Sequence, residues 1–474
     1  MTIKKILLCC TITLTALCNS ALGQDNLNLV PLPNSIKLNE GYFSFNENTY
    51  IVCSNRFNRE YLAGILRTAT KFPIPLKSVT GGNNAIVFYN SKDFNIPNEG
   101  YELRVLPNRI EIKSSSEAGE FYAIQTLLQL LPPTIYGYAT GWEKWNIPAV
   151  EITDSPRFHY RGFMLDVSRT FFGTDVIYKI LDWLAYHKIN KFHWHLIDDN
   201  GWRVEIKKYP LLTEKGAWRG PGEVLPPAYG SGNKRYGGYY TQNEIKDIIK
   251  YAADRNIDII PEIDMPGHSK SIVATYPQMR CDIANYTESV NGEAFNAWCV
   301  GKADKSNFKM IDDIIKEIAA LFPSKIIHIG GDEVNFSIWK ECPHCQALMK
   351  EKGIKSEPEL QNYFMERVGK IIKKYGKNMA GWDEIVAVND LPDNSIAYAW
   401  NSAKKGKEAA AKGINVVTQV CQYLYFDMKY TPIERGHNWA SVISSEKAYS
   451  FDPISTLGVT KDEEKYILGP QSGL

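Results

Sequence analysis

The chain has 474 residues, 44% hydrophobic and 23% charged, which is enough apolar material for more than one sizeable core. Its formal net charge is +1, with no basic block to grip nucleic acid and no acidic tail for a basic partner. Past the first residues no stretch approaches the ~20 apolar residues of a membrane span, so nucleic-acid binding and stable membrane insertion are excluded.

The chain opens "MTIKKILLCCTITLTALCNSALGQ". Lys4 and Lys5 make a positive start, an apolar run reaches about Leu17, and Ala21-Leu22-Gly23 offers small residues for cleavage. Residues 1–23 therefore read as a signal peptide, and the protein is expected to be exported, to the periplasm or beyond. Leu17 before Cys18 argues against a lipid anchor. Of nine cysteines, Cys9, Cys10 and Cys18 leave with the leader, and Cys53, Cys281, Cys299, Cys342, Cys345 and Cys421 remain. Export permits disulfides, and Cys281 with Cys299, flanking a polar loop, is the expected pair. "CPHC" (342–345) reads as a local disulfide, a redox pair, two free thiols or half a zinc site. No second such motif exists in the chain to complete a metal site.

Residues 24–152 read as a small α+β domain. "GYFSFNENTYIVCS" alternates as a strand pair does, and "FNREYLAGILRTATKF" has helical spacing. "YELRVLPNRIEIKSS" is a hairpin around Pro107-Asn108, and "SEAGEFYAIQTLLQLL" is a helix stopped by Pro132-Pro133.

From 153 to 474 the rhythm becomes strand, helix, strand, helix. The strand candidates are 162–168, 191–197, 257–264, 325–331, 378–382, 395–400, 414–420 and 466–474. Helical patterns such as "DVIYKILDWLAYHK" and "PELQNYFMERVGKIIKKY" lie between them. Eight strands in this rhythm predict a (β/α)8 TIM barrel. A doubly wound open sheet is the alternative, but no glycine-rich dinucleotide loop follows any strand.

In such a barrel the strand C-termini converge on one mouth. The residues there are Asp166 and Arg169, His195 with Asp198-Asp199, then Glu262, Asp264 and His268. Asp332-Glu333 follow, then Trp382, Asp383 and Glu384, then Trp400, and then Tyr423, Tyr425 and Asp427. Any single acid could be a helix cap or an ion-pair partner; acids after several successive strands suggest chemistry. The chain lacks an HExxH pattern or clustered histidine spacing, so neither a catalytic metal nor a cofactor is expected. An acidic, aromatic mouth suits glycoside hydrolysis. One carboxylic acid protonates the leaving oxygen, its pKa raised by burial and a like-charged neighbour, while another stabilises charge at the anomeric carbon. Adjacent residues on a strand face opposite ways, so Asp332 and Glu333 must lie past the strand end, where Gly330-Gly331 permits a bend.

"YRGFMLDVSRTFF", "FHWHLIDDNGWR", "PEIDMPGHS", "HIGGDEV", "AGWDEI", "AYAW" and "YLYFD", in that order, resemble family 20 glycoside hydrolases, the β-N-acetylhexosaminidases. The likeness extends to "AGEFYAIQTLLQLL" in the front domain. The resemblance implies an exo-acting enzyme that removes terminal non-reducing β-linked GlcNAc or GalNAc from glycans or chitooligosaccharides. It also implies a retaining, substrate-assisted mechanism in which the 2-acetamido oxygen attacks the anomeric carbon and forms an oxazolinium ion. By the same resemblance Glu333 is the acid and then the base, and Asp332 orients and stabilises the acetamido group. Asp198 and His268 support the acid. Arg161 holds sugar hydroxyls, Trp382 and Trp400 wall the sugar, Tyr425 donates to the acetamido oxygen, and Asp427 binds a hydroxyl. In the family the last strand continues into a Trp-x-Glu segment, whereas this sequence ends at "YILGPQSGL". The barrel is therefore expected to be truncated at its eighth strand, poorly stable and nearly inactive. Two other readings stay open: a catalytically dead sugar-binding remnant, and a family member that releases a disaccharide.

Overall fold

A computed structural model describes residues 27–79, 81–137, 141, 143–283, 298–302 and 307–474. The expected signal peptide lies outside them. Contacts divide the chain into two units, one ending at Pro156 and the other spanning Arg157–Leu474.

The first unit is built on a six-stranded sheet in the order β1-β6-β4-β5-β3-β2. Its strands are β1 (Ser35–Ser44), β2 (Tyr50–Val52), β3 (Ala85–Asn90), β4 (Tyr101–Leu106), β5 (Arg109–Ser114) and β6 (Asn146–Asp154). β4 and β5 form the hairpin expected around Pro107-Asn108, pairing Tyr101 with Ser114. Alternation did not reveal β3, whose first four residues are all buried, or β6, which carries Pro148. That proline pairs with Tyr42 beside a register shift in β1, where a ladder tolerates a missing donor. Two helices accompany the sheet. In α1 (Arg56–Thr70) the Asn55 side chain accepts from Asn58 N, and in α2 (Glu117–Gln129) Ser116 accepts from Gly119 N.

The second unit is a closed barrel of eight parallel strands: β7 (Gly162–Asp166), β8 (Lys191–His195), β9 (Asp258–Glu262), β10 (Ile326–His328), β11 (Asn378–Trp382), β12 (Ile396–Ala399), β13 (Asn415–Thr418) and β14 (Ile467–Gly473). Each falls inside its expected segment. The eighth strand is complete enough to close the ring: β14 pairs with β13 through Val416–Ile467 and with β7 through Gln471–Gly162. Helices α3 (Thr174–Tyr186), α4 (Gln242–Asp254), α5 (Phe308–Leu321), α6 (Pro343–Lys352), α7 (Glu357–Lys374) and α8 (Ala403–Ala411) lie between strands. Each of α4, α5 and α7 buries an apolar stripe, such as Leu360, Phe364, Val368 and Ile372 of α7.

The barrel interior is more polar than packing alone would select. Glu262 is fully buried, with His328 Nδ1 2.9 Å and His193 Nε2 3.0 Å from its carboxylate. Gln471 Nε2 lies 2.9 Å from His193 Nδ1 and donates to Gln419 at 2.6 Å, while the Tyr160 and Tyr398 hydroxyls meet at 3.0 Å. Burial pushes His193 down to about 4, so it is neutral and takes part by hydrogen bonding. This network of facing side chains fixes the strand ends that carry the mouth.

The six cysteines among the described residues are free and buried. The expected Cys281–Cys299 bridge is therefore not formed, and both sulfurs converge instead on Cys342 and Cys345.

Candidate active site

The Asp332-Glu333 pair sits past the end of β10, as the expected bend requires. Gly330, Gly331 and Glu333 have φ of +65°, +102° and +48°, all left-handed. A Cβ on Gly330 would fall 1.6 Å from Asp264 Oδ1, and one on Gly331 would fall 2.3 Å from Met365 Cε, so both positions need glycine. Glu333 pays the ordinary strain of a side chain in this region, about 1–3 kcal/mol. Surrounding bonds hold the turn. Gly331 N–H donates to Asp264 at 3.2 Å, Gln361 Nε2 donates to Gly331 O at 2.6 Å, and Trp382 N–H donates to Gly330 O at 2.9 Å. The result splits the pair: the Asp332 side chain is 16% exposed and that of Glu333 49%.

His268, also left-handed at φ +47°, stands between two pairs of acids. Its Nδ1 lies 3.3 Å from Asp198 and 3.4 Å from Asp199, and its Nε2 lies 3.3 Å from Glu333 and 3.6 Å from Asp332. These are ion-pair separations out of hydrogen-bond alignment. Burial opposes charge on this imidazole, but Asp198 and Asp332 outweigh it and hold the pKa well above the usual value. Burial likewise acts against Asp198, yet Arg169, 2.6 Å away, and His268 hold its carboxyl well below the usual range. Behind Asp198, His195 links to Glu262, extending the chain of alternating charge into the barrel core.

The two acids of the pair shift in opposite directions. Burial raises Asp332, against the pull of His268. Glu333 is lowered, first by its contact with His268. A neighbouring carboxylate alone would raise the acid, but the imidazolium beside Glu333 reverses that in the open site.

The remaining expected residues divide. Trp382 is 4% exposed and packs on His328 at 4.7 Å, with Trp400 against the same cluster. Trp400 Nε1 donates to Glu384 at 3.3 Å, and burial, with Asp332 and Asp383 nearby, pushes Glu384 up to about 8. Tyr425 lies 6.4 Å from Trp400, ring to ring, and Phe426 N–H donates to Gly473 O at the end of β14. Burial raises Tyr425, and the charges of Asp332 and Asp427 add to that. Asp427 is raised by burial and lies close enough to Asp166 and Arg169 to feel both charges.

Arg161 is not brought to this mouth. It precedes β7, where its Nε donates to Lys188 O at 2.8 Å and its NH1 to Phe158 O at 2.9 Å. A five-residue strand at about 3.3 Å per residue separates it from the other end of β7. There Arg169 lies 2.6 Å from Asp198, 3.0 Å from Asp166 and 3.2 Å from His195. Trp439, which no motif in the sequence marks, joins this mouth. It is 57% exposed, and its ring lies 5.7 Å from Tyr425 and 6.5 Å from Trp400.

These shifts fix a pH dependence. A raised imidazole contributes stability fully below its unfolded pKa of ~6.5 and loses it as pH rises through the folded value. His268→Asn, which tolerates left-handed backbone, is therefore expected to lower Tm most below about pH 6.5. The deficit shrinks as pH rises; a constant deficit across a pH series of melts would show that His268 carries no charge.

Known proteins show the same architecture. The model for "Glycosyl hydrolase family 20, catalytic domain" matches residues 158–474, and that for "Glycosyl hydrolase family 20, domain 2" matches 26–155. The chain is 35% identical to the beta-hexosaminidase of Vibrio furnissii over 450 residues, covering 94% of this chain and 72% of that protein. It is 36% identical to the beta-hexosaminidase of Porphyromonas gingivalis over 481 residues, covering 98% of this chain and 60% of that protein. Among solved structures it is similar to the exo beta-N-acetylglucosaminidase of Vibrio harveyi in complex with N-acetylglucosamine. There the TM-score is 0.85 and the identity 36%, over 94% of this chain and 69% of that one.

Proposed function

The chain belongs to glycosyl hydrolase family 20 and is a glycoside hydrolase; on that premise we propose that it is an exo-acting β-N-acetylhexosaminidase. It removes terminal β-linked GlcNAc or GalNAc with retention, through an oxazolinium ion. The observation that carries this reading is the split acid pair: Asp332 turned inward, Glu333 half open, and His268 between them and Asp198.

Asp332 Oδ1 is buried and accepts no hydrogen bond among the described residues. A buried acceptor left bare costs ~1–3 kcal/mol or more, and an acetamido N–H would satisfy it. The orientation so imposed points the acetamido oxygen at the anomeric carbon. In the first step that oxygen bonds to the anomeric carbon while the bond to the leaving oxygen breaks, and Glu333 gives the leaving oxygen its proton. In the second, the Glu333 carboxylate takes a proton from water, which bonds to the anomeric carbon as the oxazolinium opens. Without substrate, His268 keeps Glu333 ionised. A sugar covering the half-exposed carboxyl removes water from it and raises its proton affinity, so the proton arrives with the substrate.

Arg169, at the mouth, rather than Arg161 is in reach of sugar hydroxyls. Arg169→Lys is expected to lower kcat/KM ~10–100-fold, the worth of one charged hydrogen bond of ~1.5–3 kcal/mol. Arg161→Lys is expected to leave kcat/KM nearly unchanged and to lower Tm, because it breaks carbonyl bonds at the opposite end. A larger kinetic loss at Arg161 would reverse the assignment.

The function is tested with the purified chain on chromogenic β-GlcNAc and β-glucose glycosides. Turnover confined to the 2-acetamido sugar supports the reading. A chain that melts cooperatively and binds GlcNAc but turns over neither would be a sugar-binding remnant.

A further inference from the structure

Away from the acid pair, four buried sulfurs converge with no role in glycoside chemistry. Cys281 and Cys299 come from the segment after β9, and Cys342 and Cys345 from the start of α6. Their Sγ atoms all lie within 4.8 Å of one another, and each residue is at most 1% exposed. Cys299 is 3.6 Å from Cys342 and 3.8 Å from Cys345, and Cys345 is also 3.8 Å from Cys281. Cys299 and Cys345 each have two sulfurs at 3.6–3.8 Å, and no pair stands at the ~2.05 Å of a disulfide bond. Four sulfurs around zinc at ~2.3 Å form a tetrahedron with edges of about 3.8 Å.

We propose that Cys281, Cys299, Cys342 and Cys345 form a structural tetrathiolate zinc site that ties the loop bearing His268 to the loop bearing Glu333. The donor set is all soft sulfur, with no carboxylate to favour a harder cation. Zinc enters by displacing the four thiol protons, and no redox change is involved. Every ligand position is filled by protein, so the ion has no place for water or substrate and its work is mechanical.

The frame around the sulfurs is built for close approach. Cys342 is the N-cap of α6 and Cys345 lies in its first turn, so a single helix start presents both sulfurs to the cluster. Gly301 packs directly on that turn: a Cβ there would lie 2.1 Å from the carbonyl carbon of His344 and 2.3 Å from Cys345 N. Cys299 is fixed through its own backbone, its N–H donating to Met279 O at 2.9 Å and its carbonyl accepting from Asn307 at 2.7 Å. At the rim Asp282 bridges Lys302 at 2.6 Å and His344 at 3.0 Å. Trp339, in the short helix Phe336–Glu341 between Glu333 and Cys342, donates to Trp298 O at 3.0 Å, adding a second tie between the same segments.

The test is the metal content of the full chain, purified without chelator from zinc-supplemented cells, with peptide mapping under non-reducing conditions. About one zinc per chain is expected, lost stepwise as an organomercurial titrates the thiols. Cys299→Ser should fall below about 0.1 zinc per chain, while Cys421→Ser, a buried thiol outside the cluster, should keep its metal. If Cys299→Ser does not fold, the native protein decides alone. Cys281–Cys345 and Cys299–Cys342 disulfides, four metal-free thiols, or iron in place of zinc would each overturn the proposal. None of these readouts depends on glycosidase activity.

Discussion

Glu333→Gln is expected to cut turnover of unactivated β-N-acetylhexosaminides ~10²–10⁴-fold, the usual worth of general acid catalysis. An alkoxide leaving group departs only with a proton, and in the proposed mechanism Glu333, the half-open carboxyl beside His268, supplies it. A nitrophenolate leaves without one, so aryl glycosides with good leaving groups should lose much less in formation of the oxazolinium. Glutamine keeps the size and the left-handed turn, so Tm should change little. The measurement is kcat/KM on a chitooligosaccharide beside a nitrophenyl glycoside for both proteins. Equal losses on the two substrates would remove Glu333 as the acid.

Asp332→Asn is expected to lower kcat ~10²–10³-fold with a much smaller change in KM, the scale of losing one group aimed at transition-state charge. In the proposed mechanism positive charge appears on the acetamido group only as the ring closes, so the carboxylate would interact more strongly with the transition state than with bound substrate. Asparagine can still accept the N–H but brings no charge. It can also present its NH₂ to the acetamido group and turn it away from the anomeric carbon. A rise in KM with kcat preserved would mean that Asp332 only binds.

Much of this was legible in the sequence because the barrel repeats one physical rule. A run such as "NMAGW" or "INVVTQV" between helical patterns reads as a buried parallel strand, and in a barrel acids after several of them share a mouth. The pair at Asp332-Glu333 was legible for a further reason: two glycines announce a bend, and a bend is what lets adjacent acids act together. Arg161 and Arg169 show where a motif is not enough. Both belong to "YRGFMLDVSR", on either side of one strand, and only the direction of β7 decides which reaches the mouth. Strand polarity was available from the sequence, since residues after a strand face the site and residues before it do not.

Other features depend on distant contacts. The lowered pKa of Glu333 comes first from His268, which enters from the loop after β9, so the residues around Glu333 give no sign of it. Trp439 lies in a polar loop, "GHNWAS", and only its ring contacts with Tyr425 and Trp400 bring it to the mouth. In the sequence the cysteines stand as a separated pair, Cys281 and Cys299, and a "CPHC" motif. Folding places their sulfurs together, something neither spacing encodes.

Substrate assistance is the centre of the proposed mechanism, and it is tested most directly by fluorinating the acetamido methyl. Each fluorine withdraws electron density from the amide oxygen and weakens it as a nucleophile while leaving the aglycone and ring unchanged. Across the N-acetyl, N-fluoroacetyl, N-difluoroacetyl and N-trifluoroacetyl nitrophenyl β-glucosaminides, kcat/KM should fall steeply with every added fluorine. A rate indifferent to fluorination, with a glycosyl ester trapped on one of the mouth carboxylates, would contradict it.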